Sequence, residues 1–169
     1  KERVLCQLNS SETLDKLTYL PEECAVQEGE KRTACLERYQ TLLPCFKQPW
    51  SKHSSCAAEK LGVQDILQEK SRCTNTLCLY KLRENVFSLV KFRLYDLAYK
   101  ISESAEKGFP KEQTADFIVR LEQSKIEFNQ ASSIADKQRV LQKAQTIWIE
   151  FKHTAAEFFR VHPAKRVDE

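Results

Sequence analysis

The chain contains no methionine, only three glycines and five prolines, and no cysteine beyond Cys78. So little glycine and proline leaves few positions for tight turns and disfavours both β-sheet proteins and disordered chains. No uncharged apolar run approaches the ~18 residues that cross a bilayer, so we expect no membrane span. Because the chain starts at Lys1 and lacks methionine, we expect a mature product or a trimmed chain from which the leader has been removed.

Charges of both signs are mixed along the chain, and the small positive excess lies in residues 81–169. The chain carries 27 basic and 24 acidic side chains, and the net charge is +3. Lys91, Arg93 and Lys100 alternate with Asp96 and Glu103, so no continuous basic strip forms. A nucleic-acid-binding protein is expected to show such a strip, and we therefore predict no nucleic-acid partner.

Motifs that support catalysis are also missing. The glycines are scattered, so no glycine-rich loop is available to hold a phosphate. The sequence places His53 in a solvated loop, His153 on an exposed helix flank and His162 in the tail, and none of them stands beside a nucleophile. We expect that the protein is not an enzyme and that it has no catalytic residues and no cofactor.

What is present is a helical apolar pattern in the second part of the chain. Apolar residues recur at steps of three and four from about Asn75 to Lys107, which predicts one long helix. The residues of this stripe are Leu82, Val86, Leu89, Val90, Leu97 and Ile101. Gly108, Phe109 and Pro110 form a strong stop signal, because glycine favours the left-handed cap and proline cannot continue the helix.

Two further helices follow, and together they predict a three-helix antiparallel bundle over residues 79–169. One runs from about Pro110 to Asn129, and the next is capped by Ser132 or Ser133 and ends before Pro163. The aromatic residues of the last helix follow the helical period, which indicates a core position and not a ligand cage. They are Trp148, Phe151, Phe158 and Phe159.

Residues 1–78 form a predicted cysteine-rich subdomain of short helices. Four helices are expected, opened by a capping box at Asn9-Ser10-Ser11-Glu12, then over about Gly29–Leu43, Cys56–Leu61 and Gln64–Ser71. Helices this short are marginal in isolation. We therefore expect the subdomain to pack against the protruding ends of the two long helices, so that both parts form one unit.

The cysteines are concentrated in this first part. They are Cys6, Cys24, Cys35, Cys45, Cys56, Cys73 and Cys78. Such density without zinc or haem spacing predicts disulfides in an oxidising compartment, and hence an extracellular or cell-surface location. Only Cys73 and Cys78 approach the spacing of zinc ligands, and no second pair follows, so we expect no metal site.

Six paired cysteines allow fifteen connectivities, and a seventh is left over. Cys24 and Cys35 are eleven residues apart, as are Cys45 and Cys56, so two antiparallel helices could be bridged Cys24–Cys56 and Cys35–Cys45. The arrangement resembles the twin cysteine hairpins of the mitochondrial intermembrane space, although those have nine intervening residues instead of ten. Gly29 and Pro49 also depart from that pattern, and the resemblance supplies only a hypothesis about connectivity.

The remaining cysteines leave alternatives open. Cys73 and Cys78 close a small loop, or one of them pairs with Cys6. The odd thiol is a buried spectator, an intermolecular bridge or a reactive group.

Two other residues are candidate sites. Asn9 begins the sequence Asn9-Ser10-Ser11, a possible glycosylation site. Trp50 is predicted to lie in a proline-flanked loop and is the aromatic residue least explained by core periodicity, which makes it a possible contact residue.

Taken together, these features favour a secreted or cell-surface structural or interaction protein. We expect it to be stabilised by disulfides and to bind copies of itself or another extracellular protein. The alternative is an extracytoplasmic carrier of an apolar small ligand, suggested by the many phenylalanines of the last two helices. A third hypothesis, less favoured, is a redox or metal protein that uses Cys73 and Cys78.

Overall fold

The structure, a computed structural model, describes residues 1–9, 24 and 27–163. These residues form helices and connecting segments without any strand, so the predicted all-α fold class is confirmed. The helices are α1 (Glu2–Asn9), α2 (Gly29–Gln40), a 3-10 helix (Leu43–Lys47), α3 (Trp50–Lys60), α4 (Ile66–Arg72), α5 (Thr76–Glu106), α6 (Lys111–Gln130) and α7 (Ile134–Val161). Among these helices none has a segment apolar and long enough to cross a membrane.

The chain divides into two compact units, and the division falls inside α5, between Arg93 and Leu94. The first unit contains α1, the second part of α5, α6 and α7. The second unit contains α2, the 3-10 helix, α3, α4 and the first part of α5. The sequence-based boundary between residues 78 and 79, and the packing of the two parts as one unit, stay predictions.

The predicted end of the long helix is confirmed. Gly108 has φ of +91°, in the left-handed region that a residue with a Cβ rarely adopts. The Phe109 N–H donates to the Ser104 carbonyl at 2.9 Å, and the Gly108 N–H donates to the Ala105 carbonyl at 3.1 Å. These two hydrogen bonds form the glycine-based cap that satisfies the last carbonyl groups of α5.

The predicted start of the last helix is also confirmed. Ser133 is the N-cap residue of α7, and its hydroxyl oxygen accepts a hydrogen bond of 3.0 Å from the Asp136 N–H. The same hydroxyl donates to the Asp136 carboxylate at 2.5 Å. This reciprocal pair fixes the first turn of α7, as in a capping box.

In the first unit, α6 and α7 pack antiparallel. Arg120 on α6 pairs with Glu150 on α7 at 2.5 Å, and about two turns further along α6 Glu127 pairs with Lys143 at 2.8 Å. Because residue numbers rise along α6 as they fall along α7, the two helices run in opposite directions. The complete three-helix arrangement stays a prediction.

The core of the first unit is rich in aromatic contacts. The Phe109 ring, which is 1% exposed, lies 5.8 Å from that of Phe151 and 5.4 Å from that of Phe158. Phe151 is buried, and Trp148 stacks on it with a ring separation of 5.5 Å. Edge-to-face and offset pairs of this kind are favourable beyond the area that they bury.

The second unit has its own small core. Tyr39, Leu42 and Phe46 are buried in it, and the Phe46 ring lies 5.1 Å from that of Phe92. The Asn85 amide donates to the Leu61 carbonyl at 3.0 Å, which ties the end of α3 to α5. This hydrogen bond fixes the position at which the chain leaves α3 before it enters α4.

The predictions for His53 and Trp50 require correction. The sequence placed both in loops, but α3 begins at Trp50, six residues before the predicted start, and contains His53. Pro49 precedes the first turn, a position that a proline tolerates because no helical N–H is needed there. His53 is only 3% exposed; its Nε2 lies 2.9 Å from the Gln48 carbonyl oxygen, and its ring lies 5.5 Å from that of Phe46.

The other two histidines lie where the sequence placed them. His153 is exposed on α7, 3.6 Å from Glu157, and His162 is exposed at the end of α7. The helix that the sequence predicted after the capping box at Asn9 lies outside the described residues.

Candidate contact surface at the start of α5

Local hydrogen bonds and a disulfide fix the start of α5. The Asn75 side-chain oxygen accepts a hydrogen bond of 2.9 Å from the Cys78 N–H and so caps the helix. A disulfide joins Cys73 to Cys78 across this cap. The first turn of α5 therefore has a covalent link in addition to its hydrogen bonds, which limits fraying.

Three large apolar side chains are exposed on this fixed turn. Leu77 is 61% exposed, Leu79 is 42% exposed and Tyr80 is 52% exposed. Together with Thr76 and Arg83 they line a shallow hollow of about 570 Å³. At 100° per residue the five positions cover an arc of about 160° on one side of the helix. We call these five residues the α5 face.

A second hollow of about 380 Å³, the α4–α5 groove, adjoins the α5 face through Leu77, which lines both. Its other lining residues include Glu69, Arg72, Lys81 and Leu82. The apolar surface of Leu77 therefore continues into a groove with charged walls.

The charges around these two hollows are mostly positive. Three residues that line the two hollows are cationic: Arg72, Lys81 and Arg83. Among the lining residues of these two hollows, Glu69 is the one acidic residue. Arg72 pairs with Glu69 at 2.9 Å. The Arg83 guanidinium lies over the Tyr80 ring at 5.2 Å, and its Nε lies 3.9 Å from the Glu84 carboxylate. The arrangement is an apolar surface bordered by cations, two of which (Lys81 and Arg83) lie on α5 itself.

The sequence pattern of α5 missed this surface. The periodic stripe predicted a helix that is buried along its whole length. The structure buries Phe92, Leu94 and Tyr95, but it buries the earlier residues of the stripe only partly: Leu82, Val86, Leu89 and Val90. The sequence nevertheless contains a usable signal. Four apolar residues at the start of α5 are spread too widely around the helix axis for one packed face to cover them: Leu77, Leu79, Tyr80 and Leu82.

The structure assigns a partner to six of the seven cysteines that the sequence marks as disulfide candidates. The structure pairs Cys24 with Cys35, Cys45 with Cys56, and Cys73 with Cys78. Six cysteines in three disulfides are typical of an oxidising, extracytoplasmic environment. Of the two alternatives for the last pair, the small loop is the one formed.

The hypothesis that Cys24 bridges to Cys56 and Cys35 to Cys45 is wrong. The Cα atoms of Cys24 and Cys35 are 5.5 Å apart, whereas eleven residues of continuous helix would separate them by about 16 Å. The chain therefore folds back between the two cysteines of each pair. Gly29, with φ of +57°, and Pro49 interrupt the two spans and allow this reversal.

Cys6 is exposed and unpaired on α1, so the buried-spectator interpretation is wrong. Its roles as an intermolecular bridge or a reactive thiol stay predictions. Asn9, the predicted glycosylation site, is exposed at the end of α1, where its side-chain oxygen accepts a hydrogen bond of 3.2 Å from Lys111 Nζ. Trp50 is partly buried at the start of α3, and its role as a contact residue is likewise untested.

Two carboxylates carry lowered pKa values. A hydrogen bond from Lys143 lowers the pKa of Glu127 below its usual 4.5. The Ser133 hydroxyl is the main cause that lowers the pKa of Asp136 below its usual 3.8. Glu127 links α6 to α7, whereas the partners of Asp136 lie at the start of α7 itself. Throughout the described part of the chain, no three His, Cys, Asp or Glu side chains gather as they would around a metal ion.

Comparison of the chain with family models, with curated proteins and with solved structures gives no match.

Proposed function

We propose that this chain is a secreted or cell-surface protein with a structural or interaction role and no enzymatic activity of its own. Three disulfides support the extracytoplasmic location, because such crosslinks persist where thiols are not kept reduced. The exposed α5 face supports the interaction role.

The single observation that carries the proposal is the exposure of Leu77, Leu79 and Tyr80 on a disulfide-fixed helix start. Isolated exposed leucines are common, but three large apolar side chains on one rigid turn form a patch of the kind that marks contact sites. The crosslink adds to the argument because a preorganised surface loses less conformational entropy when a partner binds.

Hydrophobic interaction chromatography tests whether the α5 face is available for contact. A Leu77→Ser/Tyr80→Ser variant is compared with Ile149→Ser, which removes an apolar side chain that is 53% exposed on α7. We expect a clearly shorter retention time for the double variant than for the control. Equal retention of the double variant and the wild type would mean that the α5 face is covered, and the proposed contact surface would be wrong.

Self-assembly is a separate part of the proposal and rests on the exposed Cys6 thiol. Size-exclusion chromatography with light scattering, run with and without reductant, measures it. We expect a disulfide-linked dimer that disappears with reductant and in Cys6→Ser. A monomer at high concentration in both conditions would refute self-assembly and leave the interaction role to be judged from the α5 face.

A further inference from the structure

We propose that the α5 face binds the surface of an anionic lipid membrane. The proposal rests on the interaction role argued above, and it names the partner of the same surface. Three properties of the face support it: its shape, the chemistry of its side chains and the sign of its charge.

The shape of the face favours a fluid partner over a folded one. All five residues that line the hollow belong to α5, so it is the side of a single helix and has no opposing wall. A protein partner gains most of its affinity from side chains that fill desolvated pockets, which need walls. A lipid bilayer needs no preformed pocket, because its acyl chains adapt to protruding leucines.

The side chains are those that suit the boundary between lipid and water. Leu77 and Leu79 can enter the acyl region, while Tyr80 keeps its hydroxyl at the headgroups. Arg83 lies over the Tyr80 ring, and its long apolar stem lets the guanidinium reach phosphate groups while the stem remains in the apolar layer. Lys81, on the neighbouring side of the same turn, supplies a second cation within reach of the headgroups.

The sign of the charge favours a membrane over the simplest alternative, a second copy of the chain. In a two-fold symmetric contact the same face meets itself, so Lys81 and Arg83 of both copies would lie in one interface. Like charges brought together in this way oppose association. The same cations attract a membrane that contains acidic lipids, with roughly a five-fold gain in affinity for each cation near the surface.

The experiment measures binding of the disulfide-intact chain to lipid vesicles by co-sedimentation. One set of vesicles is pure phosphatidylcholine, and the other contains about one-third phosphatidylserine, an anionic lipid. We expect binding to the anionic vesicles, much weaker binding to the neutral ones, and a decrease as salt screens the headgroup charge. No binding to anionic vesicles at low salt would overturn the proposal.

Variants separate the apolar and the electrostatic contributions. Leu77→Ser/Tyr80→Ser should lower the affinity about twenty-fold, because each half-exposed side chain no longer transfers into lipid. Lys81→Gln/Arg83→Gln should lower the affinity for anionic vesicles about five-fold per cation. The matched controls on α7, Ile149→Ser and Lys152→Gln, should leave it unchanged. Equal losses in the controls would show unspecific attraction of a cationic protein and would refute the assignment of this face.

A synthetic amphipathic peptide, with leucines along one side and glutamates along the other, is the competing probe. If the chain binds this peptide through Leu77 and Tyr80 but does not bind anionic vesicles, the partner is an acidic protein segment and the membrane proposal is wrong. The chromatography described above keeps the two proposals apart. If retention depends on the α5 face but the chain does not bind vesicles, the membrane proposal is refuted and the proposed contact surface stands.

Discussion

Truncation of Phe109 tests the core of the first unit most directly. The Phe109 ring follows the glycine cap of α5, is 1% exposed, and has the rings of Phe151, Phe158 and Phe159 at 5.8, 5.4 and 6.2 Å. Phe109→Ala removes a buried ring and leaves a cavity between α7 and the end of α5. Such substitutions lower the free energy of unfolding by about 3–5 kcal/mol.

The cost depends on how far the surrounding rings can collapse into the cavity. Phe158 and Phe159 are partly exposed and lie near the end of α7, so they can move more easily than Phe151, which is buried. We therefore expect a value near the lower end of the range, about 3 kcal/mol.

Urea unfolding followed by circular dichroism measures this change. Tyr80→Ala is the control, because it also truncates an aromatic side chain but at a position that is 52% exposed. It should lower the free energy of unfolding by less than about 1 kcal/mol. If Phe109→Ala costs no more than Tyr80→Ala at an unchanged denaturant slope, the ring does not lie in a packed core and the proposed packing of α5, α6 and α7 around it is wrong.

Three further changes have defined outcomes. Gly108→Ala forces a Cβ into the left-handed region and should lower stability by about 1–2 kcal/mol, measured by thermal unfolding, with Ala105→Gly as a helix control. Ser133→Ala should cost about 1 kcal/mol through loss of the α7 cap. The pKa of Asp136 is lowered in the folded state, so its contribution to stability is present above about pH 4 and is lost as the pH falls through the folded-state pKa. Ser133→Ala should therefore also reduce the acid sensitivity of the unfolding temperature. Cys73→Ser/Cys78→Ser should cost about 2 kcal/mol and speed amide exchange at the start of α5, and unchanged exchange there would refute the role assigned to this crosslink.

The long helices were predictable because their ends are encoded locally. Gly108 and Pro110 stop α5 whatever lies around them, and Ser133 caps α7 through a hydrogen bond within its own first turn. Signals of this kind act over three to five residues, so the sequence alone is sufficient to locate them.

The cysteine-rich part was harder because its structure depends on contacts between segments. His53 is buried because its ring packs against Phe46 and its Nε2 reaches the Gln48 carbonyl, and neither contact is visible in a helical pattern. The prediction of the cysteine pairing was wrong for a related reason. Equal spacing of eleven residues fits two facing helices and two local loops equally well, and the fold-back at Gly29 and Pro49 decides between them.

The candidate surface could not be predicted for a different reason. Periodicity shows which residues of a helix are apolar, but it does not show how far along the helix other segments cover them. In α5 most side chains from Phe92 to Ile101 are buried, whereas Leu77, Leu79 and Tyr80 are exposed.

The pairing of the cysteines has a consequence for how the chain matures. Each crosslink joins neighbours in the order of synthesis, Cys24 with Cys35, Cys45 with Cys56, and Cys73 with Cys78. A chain threaded amino-terminus first through a translocation pore could close every loop before the next pair emerges, without waiting for distant segments to arrive. The unpaired Cys6 is then the thiol that competes, because it can bond to Cys24, Cys45 or Cys73 before the native partner emerges.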